Sequence, residues 1–155
     1  MARPLDPRRL SLGKHPQDGV YAIEFAFVFL IFFTLIYGII CYGILFTFRF
    51  GLQNAAEDGA RAALRYQVNL KARQDKAKAV AFAQTEGWLP VVATVAADVV
   101  YSSGSTCGNT PDQRCRIVVK VTASGLNAVL PPFPSFAMPD TLTSEASVLI
   151  DGRSL

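Results

Sequence analysis

Hydrophobic and polar positions fall into three regimes along this chain. From Phe25 to Phe48 runs an apolar stretch without a charged side chain. At roughly 1.5 Å of rise per residue, its about 24 residues exceed the roughly 30 Å hydrocarbon core of a bilayer, so a membrane-spanning helix is expected. The helical pattern then continues through Gly51–Arg65, where alanine, leucine and arginine favour a helix and no proline interrupts. One helix over Val20–Tyr66, about 70 Å long, is therefore predicted. Within it Gly51, Ala55, Gly59 and Ala63 recur at four-residue intervals. Such a stripe lets another helix backbone approach closely; the plainer alternative is an alanine-rich helix facing solvent with two tolerated glycines.

The second regime is a weaker amphipathic pattern over Gln74–Gln84, which places Ala79, Phe82 and Ala83 on one face and Lys76 and Lys78 at its borders. Gly87 and Pro90 end it. The third regime is β-like: Val91–Tyr101, then Arg116–Thr122 with Ile117, Val119 and Val121 in alternation, then Thr143–Ile150. Between the last two lies Leu130–Pro139, whose prolines remove ladder donors and exclude a central strand. Its Phe133, Phe136 and Met138 either cover the sheet or form an exposed partner patch. The predicted fold class is α+β: a long N-terminal transmembrane helix extending out of the membrane, a second amphipathic helix and a small three-stranded antiparallel sheet. The expected organisation is a basic leader over 1–19, the long helix over 20–66 and an α/β module over 67–155.

Length and composition fit this layout, since 155 residues with 51% hydrophobic content allow one small module beside one membrane segment. A secretory signal is disfavoured by the length of the apolar run, because an h-region has only about 7–15 residues and a small-residue site just behind it. Here Phe46-Thr47-Phe48-Arg49-Phe50 follows instead. The net charge of +3 is concentrated in the leader, where Arg3, Arg8, Arg9 and Lys14 stand against Asp6 and Asp18. The remainder is nearly neutral and lacks a basic aromatic face, which argues against nucleic acid as partner.

Arg49, Arg61 and Arg65 follow the apolar run about as closely as the leader's charges precede it, so lysine and arginine do not decide orientation. Cysteine does. Cys107 and Cys115 bracket Gly108-Asn109-Thr110-Pro111-Asp112 between two β-like runs, a spacing suited to a disulfide across a hairpin mouth. Two free thiols are the alternative. Half a zinc site is disfavoured, since there is no second cysteine pair and the sole histidine, His15, lies in the leader. Disulfides persist outside the cytosol, so the leader is expected in the cytoplasm and the C-terminal module in the periplasm or outside. Neither a Gly-x-Ser-x-Gly elbow nor a phosphate-cradling glycine loop occurs, Ser102-Ser103-Gly104-Ser105 has the composition of a flexible turn, and the expectation is a non-enzyme with no cofactor, no metal and no small-molecule substrate.

The leader meets the apolar run at Gly19-Val20-Tyr21-Ala22-Ile23-Glu24-Phe25. With Glu24-Phe25-Ala26, the later Tyr37-Gly38-Ile39-Ile40 and the segment Asn54-Ala55-Ala56-Glu57-Asp58-Gly59-Ala60-Arg61, the first 65 or so residues resemble the TadE-like family of minor pseudopilins of the tight-adherence (Flp) pilus system. The resemblance implies a pilin-like protein of the bacterial inner membrane. Its leader is removed after Gly19 by prepilin peptidase, so that Val20 becomes the N-terminus and Glu24 the fifth residue. It also implies other pilins or pseudopilins and the pilus assembly platform as partners. Leu30 stands where family members often carry a proline, and Cys41, here a small buried apolar residue, where they often carry a second acid.

The expectation for Glu24 has a physical basis of its own. A charge at mid-bilayer costs on the order of 2.5–3.5 kcal/mol, and cleavage would create a cationic partner, the amine of Val20, on the same subunit or a neighbour. Alternatively Glu24 lies near the headgroups, where the helix N-terminus favours an anion by about 0.3–1 kcal/mol. The competing functional reading is an uncleaved, single-pass envelope protein with a periplasmic binding module.

Overall fold

The computed structural model describes residues 18–102, 107, 114–129 and 139–150. Helix α1 spans Asp18–Ala63 and α2 Leu70–Ala83; strands β1, β2 and β3 cover Ala93–Tyr101, Cys115–Ser124 and Thr141–Ile150. The fold is α+β, with a long apolar N-terminal helix, a second helix and one three-stranded antiparallel sheet in the order β1-β2-β3. Contacts divide the chain inside α1, into Met1–Gly38 and Ile39–Leu155.

Alternation makes the sheet one-sided. Cys115, Ile117, Val119, Val121 and Ala123 of the central strand are all buried, while Arg116, Lys120 and Ser124 between them are exposed. The register sets Ala97 opposite Val119 and Val119 opposite Ala146, so the same face continues through Ala93 and Ala97 of β1 and through Leu142, Ser144 and Ile150 of β3. That face meets the helices, and the other, with the Thr122–Thr143 hydroxyl pair at 3.4 Å, looks to solvent.

Helix boundaries differ from the expected ones for local reasons. α1 ends at Ala63 rather than Tyr66, because the amides of Leu64 and Arg65 turn back to the carbonyls of Arg61 and Ala62, at 3.1 and 3.2 Å, in a tighter last turn. α2 begins at Leu70, ahead of the predicted Gln74, because the Asn69 side chain accepts the amide of Ala72 at 2.8 Å and so satisfies an orphan donor. The predicted apolar face of α2 is corrected: Ala79, Phe82 and Ala83 are exposed, and the buried stripe is Arg73, Ala77 and Ala81. The neighbour that selects this stripe is a helix backbone, which accepts methyl groups at close range and has no room for Phe82.

α2 runs antiparallel to the C-terminal part of α1. Arg73 donates from Nη1 to the Ala63 carbonyl at 3.2 Å; Ala77 and Ala81 lie against Gly59; Trp88, just beyond α2, lies against Gly51. The connections therefore sort to two ends of this unit. The near end of the sheet, which the chain enters soon after Trp88, carries Ala93, Ala123 and Leu142, whereas Tyr101, Cys115 and Ile150 lie at the far end. At the near end the amides of Leu126 and Asn127 donate to Asp140, at 3.2 Å to its carbonyl and 3.3 Å to Oδ1, and close the base of the 125–140 connection. The leader before Asp18, the Gly108–Asp112 turn and Phe133, Phe136 and Met138 lie outside the described residues.

Candidate functional site

The Gly19–Glu24 junction occupies the first turns of α1, and the helix starts ahead of the expected Val20. The backbone on both sides of the Gly19–Val20 bond is thus helical, in the turn whose amides have no intrahelical acceptor. A Cβ at Gly19 would meet no atom within 4 Å. Glu24 is one turn beyond Val20, on the same side of the helix, and is exposed with no ion-pair partner among the described residues.

From Phe25 to Ile40 the helix is apolar and exposed nearly all round, with only Tyr37 and Gly38 half-buried; Cys41 and Leu45, farther along, are buried. Phe25, Ile31 and Ile39 are exposed at 69%, 59% and 72%. Water does not tolerate such a surface, whereas a hydrocarbon medium does. The two threonine hydroxyls of the segment are satisfied internally, Thr34 donating to the Leu30 carbonyl at 2.7 Å and Thr47 to the Gly43 carbonyl at 2.9 Å, as a polar group in lipid must be. With Leu30 rather than proline, no amide donor is lost from the ladder. Phe25, Phe29, Phe33 and Tyr37 stack in series along one flank, with ring centroids 5.9, 5.9 and 6.2 Å apart. Their spacing of four is visible in the sequence.

Past Phe48 the same helix changes character. Gly51 is covered by the Trp88 indole, and a Cβ there would run into three of its ring carbons. Ala55 and Ala63 are fully buried, and a Cβ on Gly59 would come within 2.8 Å of the Ala81 methyl, 2.9 Å of the Ala77 carbonyl and 3.2 Å of Val119. The Gly51, Ala55, Gly59 and Ala63 stripe thus lies within the folded unit, against α2, Trp88 and the sheet. On the outer side Arg61 reaches Glu57 and Asp58 at 3.7 and 3.8 Å, exposed pairs of little energetic weight. Cys41 is a buried free thiol. Cys107 and Cys115 are bonded, with Cα atoms 5.5 Å apart, at the far end of the sheet, where Cys115 pairs with Ile150. No group of three or more metal-ligating side chains occurs among the described residues.

Buried Arg73, the Asn69 cap and the Trp88 contact escape the pattern of apolar positions. The cap is readable as an Asn ahead of a helical run, and Trp88 is the chain's one tryptophan. Nothing in the local sequence marks Arg73 as buried.

These features describe a protein whose N-terminal helix has the length and composition to anchor it once in a membrane, followed by a small α/β unit. The family model for TadE-like protein matches residues 19–61, which run from Gly19 to Arg61 and contain the apolar segment and three of the four stripe residues, Gly51, Ala55 and Gly59. A TadE-like segment points to a role in the tight-adherence pilus system. No curated protein and no solved structure matches the chain.

Proposed function

We propose that this chain is a minor pseudopilin-like component in the assembly of tight-adherence pili, anchored in the bacterial inner membrane and cut after Gly19 by prepilin peptidase, with no catalytic activity of its own. The observation that carries this is the coincidence of three features. The TadE-like match begins at Gly19, Glu24 follows one turn beyond Val20, and the span is apolar on all sides. Glycine lowers the cost of opening the first helical turn in a protease groove, being about 0.8–1 kcal/mol worse than alanine in a helix. Cleavage then sets a cationic amine at Val20 within reach of Glu24, on its own subunit or on a neighbour, which couples processing to association with other pilins, pseudopilins and the assembly platform. The bonded cysteines support a periplasmic or extracellular C-terminal unit and a cytoplasmic leader.

Intact mass of membrane-extracted protein is the test, and the expected chain begins at Val20. Because a Cβ at Gly19 meets nothing within 4 Å, Gly19→Ala leaves the fold alone, and an uncut Gly19→Ala precursor reports on recognition by the protease. Full-length wild-type protein in cells with active prepilin peptidase would sink the proposal. It would favour the second reading, an uncleaved single-pass envelope protein, to which the helical backbone at Gly19–Val20 lends support.

A further inference from the structure

We infer that the turn carrying Trp88 is a second membrane contact, by which the α/β unit rests on the interfacial layer of the bilayer at the point where α1 leaves it. This rests on the membrane-spanning reading of α1 and goes beyond it, because α1 alone would leave the unit free to stand clear of the lipid.

The placement of Trp88 carries the inference. Its ring lies on Gly51 and beside Phe48, with ring centroids 6.3 Å apart. Phe48 is the last residue of the charge-free run and Arg49 is the first charge after it. Trp88 therefore sits at the depth where the hydrocarbon-soluble part of the helix ends. Around that level Phe46 and Phe50 are exposed on α1, together with Arg49, whose long side chain can hold its guanidinium among the phosphates. This is the composition of an interfacial belt, where tryptophan and phenylalanine keep apolar area out of water and arginine meets the headgroups.

The turn is shaped to present apolar groups there. Gly87 has φ +86°, a left-handed conformation that reverses the chain directly before Trp88. The indole N–H donates to the Gln84 carbonyl at 2.5 Å and is thereby satisfied inside the turn. Val92, exposed at 82%, and half-exposed Phe82 line a shallow concavity with Gly87 and Leu89, the neighbours of Trp88, outside the apolar core of the sheet. Water gives no return for these exposed side chains, whereas an interface reached by continuity with the span does. Glu86 is the exposed acid of the turn, and the contact is accordingly with the headgroup layer, in which a carboxylate stays hydrated.

Trp88 is the only tryptophan, so wild-type fluorescence reports on this residue alone. The full chain is reconstituted in phosphatidylcholine vesicles containing lipid brominated either near the headgroup end or near the methyl end of the acyl chain. Shallow bromines are expected to reduce emission by about twofold and deep bromines distinctly less, as an interfacial indole requires. Emission quenched by aqueous iodide but by neither brominated lipid overturns the inference, because the unit then stands off the membrane. So does protection from all three quenchers, which means protein covers the ring, and so does stronger quenching by deep bromines. A control separates this from failure of the span itself: Ile36→Trp in a Trp88→Phe background places the reporter mid-run and should be quenched most by deep bromines. If that control is unquenched by lipid, the span falls and the inference with it.

Discussion

The two halves of α1 solve opposite problems with the same backbone. From Val20 to Ile40 most side chains are large and apolar, and all but Tyr37 and Gly38 are exposed; from Leu52 to Ala63 the inward positions are Leu52, Ala55, Ala56, Gly59, Ala60 and Ala63, and they are buried. The first half relies on a surrounding medium and needs bulk to be insoluble in water. The second relies on partners from its own chain, and small side chains let α2 approach until the Ala77 carbonyl and the Ala81 methyl crowd Gly59. Helix propensity does not tell the halves apart. The size of the side chain on the contact face does.

The sharpest way to break that distinction is to make one substitution in both halves. Gly59→Leu must displace backbone and the Ala81 methyl together, and a loss of about 3 kcal/mol in the stability of the folded unit is expected. Gly38→Leu adds the same atoms where a Cβ meets nothing within 4 Å, so its cost should stay within about 0.5 kcal/mol. Denaturant unfolding in detergent, followed through Trp88, measures both. Equal effects would show that the halves do not differ in packing.

Removing the Cys107–Cys115 bridge should come next. Closing a loop with a sequence separation of 8 contributes roughly 2–4 kcal/mol, largely through the unfolded chain. Cys115→Ser is expected to lower the unfolding midpoint of the α/β unit and leave membrane extraction of the chain unchanged. Peptide mapping without reductant provides the companion check: two free thiols in protein from an oxidising compartment would remove the bridge and the support it gives to a periplasmic unit.

Arg73→Ala follows, with an expected loss of about 2 kcal/mol, because it deletes a charged donor to the Ala63 carbonyl and the packing of the arginine stem. Amide exchange should then rise in the last turn of α1 and stay slow in the central strand. Unchanged exchange near Ala63 would mean that this bond does not hold the helix end.

The span and the sheet were legible because each repeats a strong pattern: a charge-free run longer than a bilayer, and Ile117, Val119 and Val121 in strict alternation. α2 was legible in existence but not in orientation. Alanine occurs on both of its faces, at Ala77 and Ala81 and at Ala79 and Ala83, so composition does not choose between them, and Phe82 biases the choice towards the wrong one. The buried face is selected by a glycine eighteen or more residues upstream, which is a tertiary fact. Arg73 is hidden for the same reason. An arginine is ordinarily exposed, and only the helix end it reaches makes its burial intelligible. At the candidate site, Gly19 and Glu24 were legible as a spacing, while the helical backbone through Gly19 required coordinates.

Glu24→Gln should have the smallest effect on the fold and still reach function. Glu24 lies outside the packed unit, makes no ion pair among the described residues and sits at the end of the apolar run, so unfolding of the α/β unit and membrane insertion are expected to match the wild type. Cleavage depends chiefly on Gly19 and the leader and should proceed. Pairing with the new amine at Val20 depends on charge, and glutamine keeps the shape while losing the anion. Association with pilin-like partners is therefore the step that weakens. Crosslinking or co-purification of partners, read beside the mass of the N-terminal fragment, separates the steps. If cleavage, partner recovery and pilus output all stay normal, the acid is held by the headgroup layer and the helix N-terminus, a contribution of about 0.3–1 kcal/mol, and it plays no part in assembly.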